Sequence, residues 1–288
     1  MKLADLVEKM SQQHVLVVGD AIIDNYIFGR VDRICPEAPI PVFVPESFEE
    51  REGGAMHTFA QVRALAKATG MFGPPHSEKL RYMVGSQMIG MRIDSDMRPK
   101  GSPEDHIKLF NDDIVPTIGD VSAIILSDYG KGLMSEEFCQ HIIKFGIAKG
   151  VPVVVDPKDY EWSKYNGAQW LCPNEKEARD RRGLIDPGWQ FLEKLGGKGL
   201  KIDAHLFPSR HKHVYDVTGA GDIVVAVFAL ALAAGGTSFE AAQLANIAAG
   251  WSVGEVGTVV CRYEMLAAMA KLTDEGATDR VLDKRMLH

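Results

Sequence analysis

Cysteine is scarce and scattered: Cys35, Cys139, Cys172 and Cys261 are the only four, and no two form a C-x-x-C pair. That spacing argues against a disulfide framework and a thiolate zinc site, and it fits a reducing cytoplasm. Basic charge is also short. Lys and Arg number 32 against 39 Asp and Glu, a net charge of −7, and the acids are dispersed rather than run together. A basic nucleic-acid surface is therefore not expected. Long apolar runs are missing too; the longest, Ile223 to Ala234, has the length of a core helix and is too short to cross a membrane. There is no internal repeat, low-complexity tract or long linker. The N-terminal MKLADLVEKMSQQ is charged and reads as a short amphipathic helix rather than a signal peptide. What remains is a globular composition, 46% hydrophobic and 25% charged over 288 residues, read as one large domain spanning 1–288.

Three short runs carry the strand signal: HVLVVGD (14–20), AIILSDYGKG (123–132) and VPVVVDPKD (151–159). Each is almost continuously apolar, as expected of strands buried on both faces of a parallel sheet. Each ends in an acid. Ligands of open α/β sheets bind beyond the carboxyl ends of strands, so Asp20, Asp128 and Asp156 would share one edge. The alternative is that each Asp caps the turn after its strand. Helical patterns over Ala55–Lys67, Ser135–Lys149, Gly219–Ala234 and Phe239–Val253 alternate with the strands and predict a doubly wound fold. Two segments break that alternation. IPVFVPESFEEREGG (40–54) and KLRYMVGSQMIGMRID (79–94) alternate like strands, the second turning near Gly85-Ser86, and predict a small accessory sheet. GMFGPP (70–75) reads as a tight connection.

The chemistry concentrates in DVTGAGD (216–222), which opens the Ile223–Ala234 run. Glycines let a backbone approach a ligand closely. The first turn of a helix offers free N–H groups and the positive end of the dipole. An anion held by those amides would face the Asp222 carboxylate, and that arrangement suits phosphoryl transfer to a hydroxyl. No G-x-x-x-x-G-K-[ST] loop occurs, so this is not a Walker-type site. Taken alone, a G-x-G-D is more often an ordinary helix start.

The motif has company. DVTGAGD resembles the C-terminal signature of the ribokinase-like (phosphofructokinase-B type) carbohydrate kinases. GGA at 53–55 resembles their N-terminal sugar-binding signature, PNEKE (173–177) their N-x-x-E motif, and ANIAAG (245–250) the helix beside their adenine pocket. Within the family, VVGDAIIDNYIFGRVDRICPEAPIPV (17–42), LSDYGKG (126–132) and VDPKD (155–159) are similar to heptose-7-phosphate kinase domains of ADP-heptose synthases.

The resemblance implies an α/β, doubly wound, mainly parallel sheet with a β lid over about 26–53 and 79–94. It implies ATP and Mg²⁺, and leaves a monovalent cation open. Asp222 would be the base and Gly219, Ala220 and Gly221 the anion hole. Asp20 and Asp24 would bond sugar hydroxyls, with Gly53, Gly54, His57, Asp128 and Asp156 beside the sugar. Arg81, Lys131 and Lys158 are candidates for the substrate's own phosphate, which carries about two negative charges. Asn174 and Glu177 would organise Mg²⁺ through water. Gly197, Gly199, Thr218, Asn246 and Gly257 fall on the nucleotide side. A homodimer through the lid and a sugar-phosphate substrate follow from the same likeness; the cysteines, the charge and the short apolar runs imply a cytoplasmic setting with neither nucleic acid nor membrane as partner. The tail from 272, ending DRVLDKRMLH (279–288), resembles the linker to a nucleotidyltransferase half. No H-x-G-H motif occurs, so only the kinase step is expected here, with a separate nucleotidyltransferase acting on its product.

The sequence departs from the family in three places. His57 stands where the signature G-G-x-x-N carries an amide. About 30 to 40 residues of β-α-β are missing before the second lid segment, judged from ordinary connection lengths. No apolar strand is visible before LGGKG (195–199), and DPGWQFLEKL (186–195) reads as the one helix-like piece there. His57 leaves open a kinase for another sugar, and a core shortened at these two places leaves open a reduced relative that binds nucleotide or a protein without turnover.

Overall fold

The computed structural model describes residues 1–66, 70–73, 77–85, 87–97, 99–158, 161–180, 188–209, 219–254 and 259–276. The chain opens with α1 (Leu3–Met10), β1 (Val15–Gly19), β2 (Ala21–Ile34), β3 (Pro41–Gly54) and α2 (Ala55–Leu65). Then come β4 (Gly70–Phe72), β5 (Ser77–Val84), β6 (Gln87–Asp96), α3 (Pro103–Leu109), β7 (Ala123–Ser127), α4 (Glu136–Lys149) and β8 (Val153–Asp156). The second half holds β9 (Trp170–Leu171), α5 (Glu175–Asp180), β10 (Gln190–Phe191), β11 (Glu193–Lys194), β12 (Gly199–Ile202) and β13 (His205–Pro208). It ends with α6 (Ala220–Ala233), α7 (Ser238–Ser252) and α8 (Tyr263–Asp274).

Six strands form the central sheet in the order β10-β9-β8-β7-β1-β4, and every pairing in it is parallel. The continuous apolar runs are explained by the pleat. Val15 and Val17 face one core, with Ala123, Ile125 and Val154. Leu16 and Val18 face the other, with Ile124, Leu126, Val153 and Val155. The first core is covered by α1, α2, α6, α7 and α8, the second by α4 and the Phe110 region. Because α6 is buried along almost its whole length, its residues are apolar on every side except at its first turn. The helix boundaries follow local signals: Ser135 caps α4 by accepting the Phe138 N–H, Gly150 ends it in the left-handed region, and Thr237 and Glu240 form a capping box for α7.

Two expectations are corrected. Residues 70–75 were expected to be a simple connection, yet Gly70–Phe72 pairs in parallel with Leu16–Val18 and closes one sheet edge. Residues 186–195 were expected to be helical, yet Gln190–Phe191 pairs in parallel with Trp170–Leu171 and closes the other. Both gaps in the core are thus filled by strands of two or three residues, too short to show a period of their own.

The lid is a four-stranded sheet ordered β3-β2-β5-β6. Its long strands, β2 and β3, are buried at the end nearest the central sheet and become exposed further out. The remaining sheet, β11-β12-β13, is antiparallel and sits beside α7. Among the described residues, no helix is long and apolar enough to cross a membrane.

Candidate active site

The three strand-end acids do lie side by side, since Gly19 registers with Ser127 and Ser127 with Asp156. Their side chains do different work. Asp20, expected to meet a sugar, accepts the backbone N–H groups of Tyr129 (2.9 Å), Lys131 (3.1 Å) and Leu133 (3.1 Å) and so shapes the DYGKG turn. Asp128, also expected beside the sugar, accepts from Lys164 Nζ (2.5 Å), Tyr165 Oη (2.6 Å) and the Gly130 N–H (2.7 Å). Burial raises its titration despite Lys164, and this cluster ties the turn to the second core. Asp156 pairs with the buried Lys194 ammonium. Burial pushes the Asp156 carboxyl up to about 6 even beside that cation.

Asp222 sits in the first turn of α6, behind Gly219 in the left-handed region (φ 78°). It is buried, yet both of its oxygens are bonded. Oδ1 accepts the Tyr129 hydroxyl at 2.5 Å, and Oδ2 lies 2.8 Å from His57 Nδ1. Gln61 orients the imidazole. Its Oε1 accepts the Cys261 N–H (2.9 Å), so its Nε2 donates to Val259 O (2.7 Å) and to His57 Nε2 (2.9 Å). The Nδ1 proton of His57 therefore points at Asp222. Burial pulls the His57 pKa down, but the Asp222 hydrogen bond and charge outweigh it, and the imidazole titrates above its ordinary value. Gly219 is required here on two counts: its positive φ, and a Cβ that would lie 2.4 Å from His57 Cε1. Tyr129 is held far above its ordinary pKa by burial and by the charge of Asp222, so its hydroxyl stays a donor.

On the lid side, Asp24 accepts from Arg81 Nη1 at 2.7 Å, and Arg81 lies over the Tyr26 ring. Gly53 makes room for that carboxylate, because a Cβ there would sit 2.5 Å from Asp24 Oδ2. Gly54 (φ 57°) turns the chain from β3 into α2 and so delivers His57. Lys131 Nζ bonds Asp96 of β6 at 2.6 Å, joining the turn to the lid. Lys79 stands over the Tyr129 ring, 5.8 Å from its centroid, with its pKa lowered mainly by burial.

Against the start of α6, at Ala220 and Gly221, is a cavity of about 260 Å³ that Asn174, Lys194, Gly197, Gly199 and Asn246 also line. Gly199 needs its positive φ (104°), and a Cβ there would strike Phe207 O. Asn246 Nδ2 donates to Pro208 O (2.8 Å). Asn174 and Glu177 bond reciprocally, each side chain accepting the other's backbone N–H at 2.9 Å, which makes the N-x-x-E motif a helix cap as well. Lys158 Nζ, expected to meet the substrate's phosphate, reaches Glu177 Oε1 at 3.2 Å. Among the described residues no group of three His, Cys, Asp or Glu could hold a metal alone. The Glu177 carboxylate is bonded to the backbone of the cavity-lining Asn174, and a lone carboxylate is a donor set that fits Mg²⁺, which keeps several of its waters. Thr218, Gly257 and the tail from 277 lie outside the described residues.

Sequence reasoning brought together Asp222, His57 and the strand-end acids, but it missed Tyr129, Gln61, Lys79 and Lys194. Tyr129 and Lys194 each sit within or beside a quoted motif, DYGKG and LGGKG; Gln61 lies one helical turn after His57.

Comparison with known proteins bears on family and fold. Residues 195–265 match the model of the pfkB family carbohydrate kinases. The chain is 36% identical to the bifunctional protein HldE of Methylobacillus flagellatus over 85% of its own length and 60% of that protein. It is 32% identical to the HldE of Caulobacter vibrioides over 98% of its length and 68% of that protein. The latter alignment runs over 336 positions, so about 50 of them have no counterpart in this shortened chain. Among solved structures, the ribokinase of Arabidopsis thaliana complexed with ribose and ATP superimposes with a TM-score of 0.64 at 18% identity, covering 90% of this chain and 99% of that one. Ribokinase from Thermotoga maritima gives 0.66 at 18% identity, with the same coverage of 90% and 99%.

Proposed function

The chain belongs to the pfkB family of carbohydrate kinases, and from that premise we propose that it transfers the γ-phosphoryl group of ATP to the anomeric hydroxyl of D-glycero-D-manno-heptose 7-phosphate. The observation that carries this reading is the position of Asp222. Its carboxylate stands at the start of α6 between the lid-covered side, through Tyr129, and the cavity beyond Gly221.

The acceptor hydroxyl takes the place of the Tyr129 hydroxyl on Asp222 Oδ1. Asp222 accepts its proton as the new O–P bond forms and the bond from the β,γ-bridging oxygen to the γ-phosphorus breaks, leaving ADP. His57 holds the other carboxylate oxygen, so the base meets the hydroxyl with one oxygen only. The amides at the start of α6 face the charge that gathers on the phosphoryl group. Mg²⁺, held through water by Glu177 and Asn174, would neutralise charge on the phosphate chain. Lys79, Arg81 and Lys131 give the lid side the cations that a substrate phosphate needs. The likeness of residues 17–42 to heptose-7-phosphate kinase domains and the identity to the HldE relatives support the choice of sugar. The exposed apolar side chains of the lid, Phe48, Met88, Met91 and Ile93, support a homodimer that covers them.

The test is ADP release from ATP·Mg²⁺ and the heptose 7-phosphate, with Asp222→Asn as control. Loss of a positioned base lowers the rate by roughly 10² to 10⁴. Release no faster than the control overturns the kinase reading, and a higher kcat/KM for another sugar overturns the heptose.

A further inference from the structure

Lys194 is a nearly buried cation, with a side chain 13% exposed, and neither signature motif contains it. Its position is fixed by the backbone. The Lys194 N–H donates to Pro173 O at 2.8 Å, and the residue bridges in parallel with Asn174, so β11 continues the sheet edge past the N-x-x-E turn. From there the side chain runs towards the start of α6. A methyl group built on Gly221 would lie 3.5 Å from Lys194 Nζ, and both residues line the 260 Å³ cavity.

An ammonium has three donors. Among the described residues, Asp156 is the one side chain that accepts from Lys194. The amides at the start of α6 are donors as well, and that end of the helix carries the positive pole of its dipole. Donors of one sign therefore converge on the cavity beside Gly221. A polyanion satisfies such a place; an uncharged ligand leaves it repulsive. The Asp156 carboxylate explains how the cation can be buried without a ligand, since a lone buried ammonium would be strongly disfavoured.

We infer that Lys194 is a catalytic residue whose ammonium contacts the nucleotide's phosphate chain and the phosphoryl group in transfer at Gly221, with Asp156 as its counter-charge. The assignment rests on the kinase reading above and adds a contact to it. No new bond is made: the lysine stays protonated and spreads the charge that builds on the phosphoryl oxygens while Asp222 takes the proton. A pair that merely ties β8 to β11 would have no such effect on the nucleotide.

Binding separates the two roles. Calorimetric titrations with Mg²⁺ and the non-hydrolysable β,γ-methylene analogue of ATP, and separately with adenosine, are made on the full chain. The proteins are wild type, Lys194→Met, and Lys194→Met with Asp156→Asn. The double variant leaves no unpaired buried carboxylate and guards against misfolding of the single one. Expected is an affinity for the analogue at least about tenfold weaker in the folded variants, with adenosine within about twofold of wild type, and a kcat lower by roughly 10² to 10³, the usual effect of losing one preorganised donor. Lys194→Arg should recover part of that loss. If the folded double variant binds the analogue as wild type does, or loses adenosine equally, Lys194 is structural and the assignment falls alone. If wild type binds neither ligand, the kinase reading falls and takes the assignment with it.

Discussion

His57→Asn probes the proposed base most directly, because it restores the amide that the family signature carries and removes the only titrating partner bonded to Asp222 Oδ2 among the described residues. The groups facing the imidazole are Asp222, Gln61 and the Val259 carbonyl, with the charge of Asp24 beyond. Its folded-state pKa lies above the ordinary 6.5. A raised histidine stabilises the fold fully below its unfolded pKa, and that contribution is lost as pH rises through the folded value. A charge-assisted hydrogen bond contributes about 1.5 to 3 kcal/mol. Taking about 2 kcal/mol, and an unfolding entropy of about 2.1 cal/mol/K per residue over 288 residues, His57→Asn should melt roughly 3 °C below wild type at pH 5.5. The deficit should shrink by pH 9. Activity should move the other way. Imidazolium beside Asp222 makes the carboxylate a poorer base, so wild-type kcat/KM should climb above pH 6.5 as His57 loses its proton. In the variant that limb should vanish. Scanning calorimetry and kcat/KM at half-unit pH steps decide the matter. A melting deficit that is constant or grows with pH, or a variant with the wild-type pH profile, would refute the coupling of His57 to the base.

Gly219→Ala should lower kcat by at least about tenfold and cost about 1 to 2 kcal/mol, since a left-handed backbone is unfavourable for alanine and the new methyl displaces His57 from Asp222. Unchanged turnover would contradict the steric argument. Lys164→Met should destabilise by about 3 to 5 kcal/mol near neutral pH by stranding the Asp128 carboxylate, measured by urea unfolding, while nucleotide affinity stays within about twofold. Burial already raises the Asp128 pKa, so protonation towards acid pH should shrink that deficit. A deficit that deepens in acid would argue against it.

Residues separated in sequence by one or four positions were legible; those brought together across the fold were not. The apolar runs of β1, β7 and β8 could be read because burial on both faces leaves no polar residue to confuse the period. The same runs placed three acids at one edge. They could not say that Asp128 would turn to Lys164 and Tyr165, because a strand's last side chain is directed by what packs beside it. Tyr129 reaches Asp222 across 93 positions, and Gln61 reaches Cys261 across 200. Composition carries no trace of such contacts. The shortened segment before LGGKG shows the limit most clearly. Two residues cannot display alternation, so Gln190–Phe191 became a strand only because β9 offers an unpaired edge. Once that pairing forms, the Leu192 N–H meets Leu171 O at 3.0 Å and the Lys194 N–H meets Pro173 O. Those two bonds carry the chain straight from the sheet edge to the cavity, and they set Lys194 beside Gly221 without the longer strand the family resemblance led us to expect. The shortened core thus still sets a buried cation beside a glycine-led helix start, the arrangement on which the proposed phosphoryl transfer would draw.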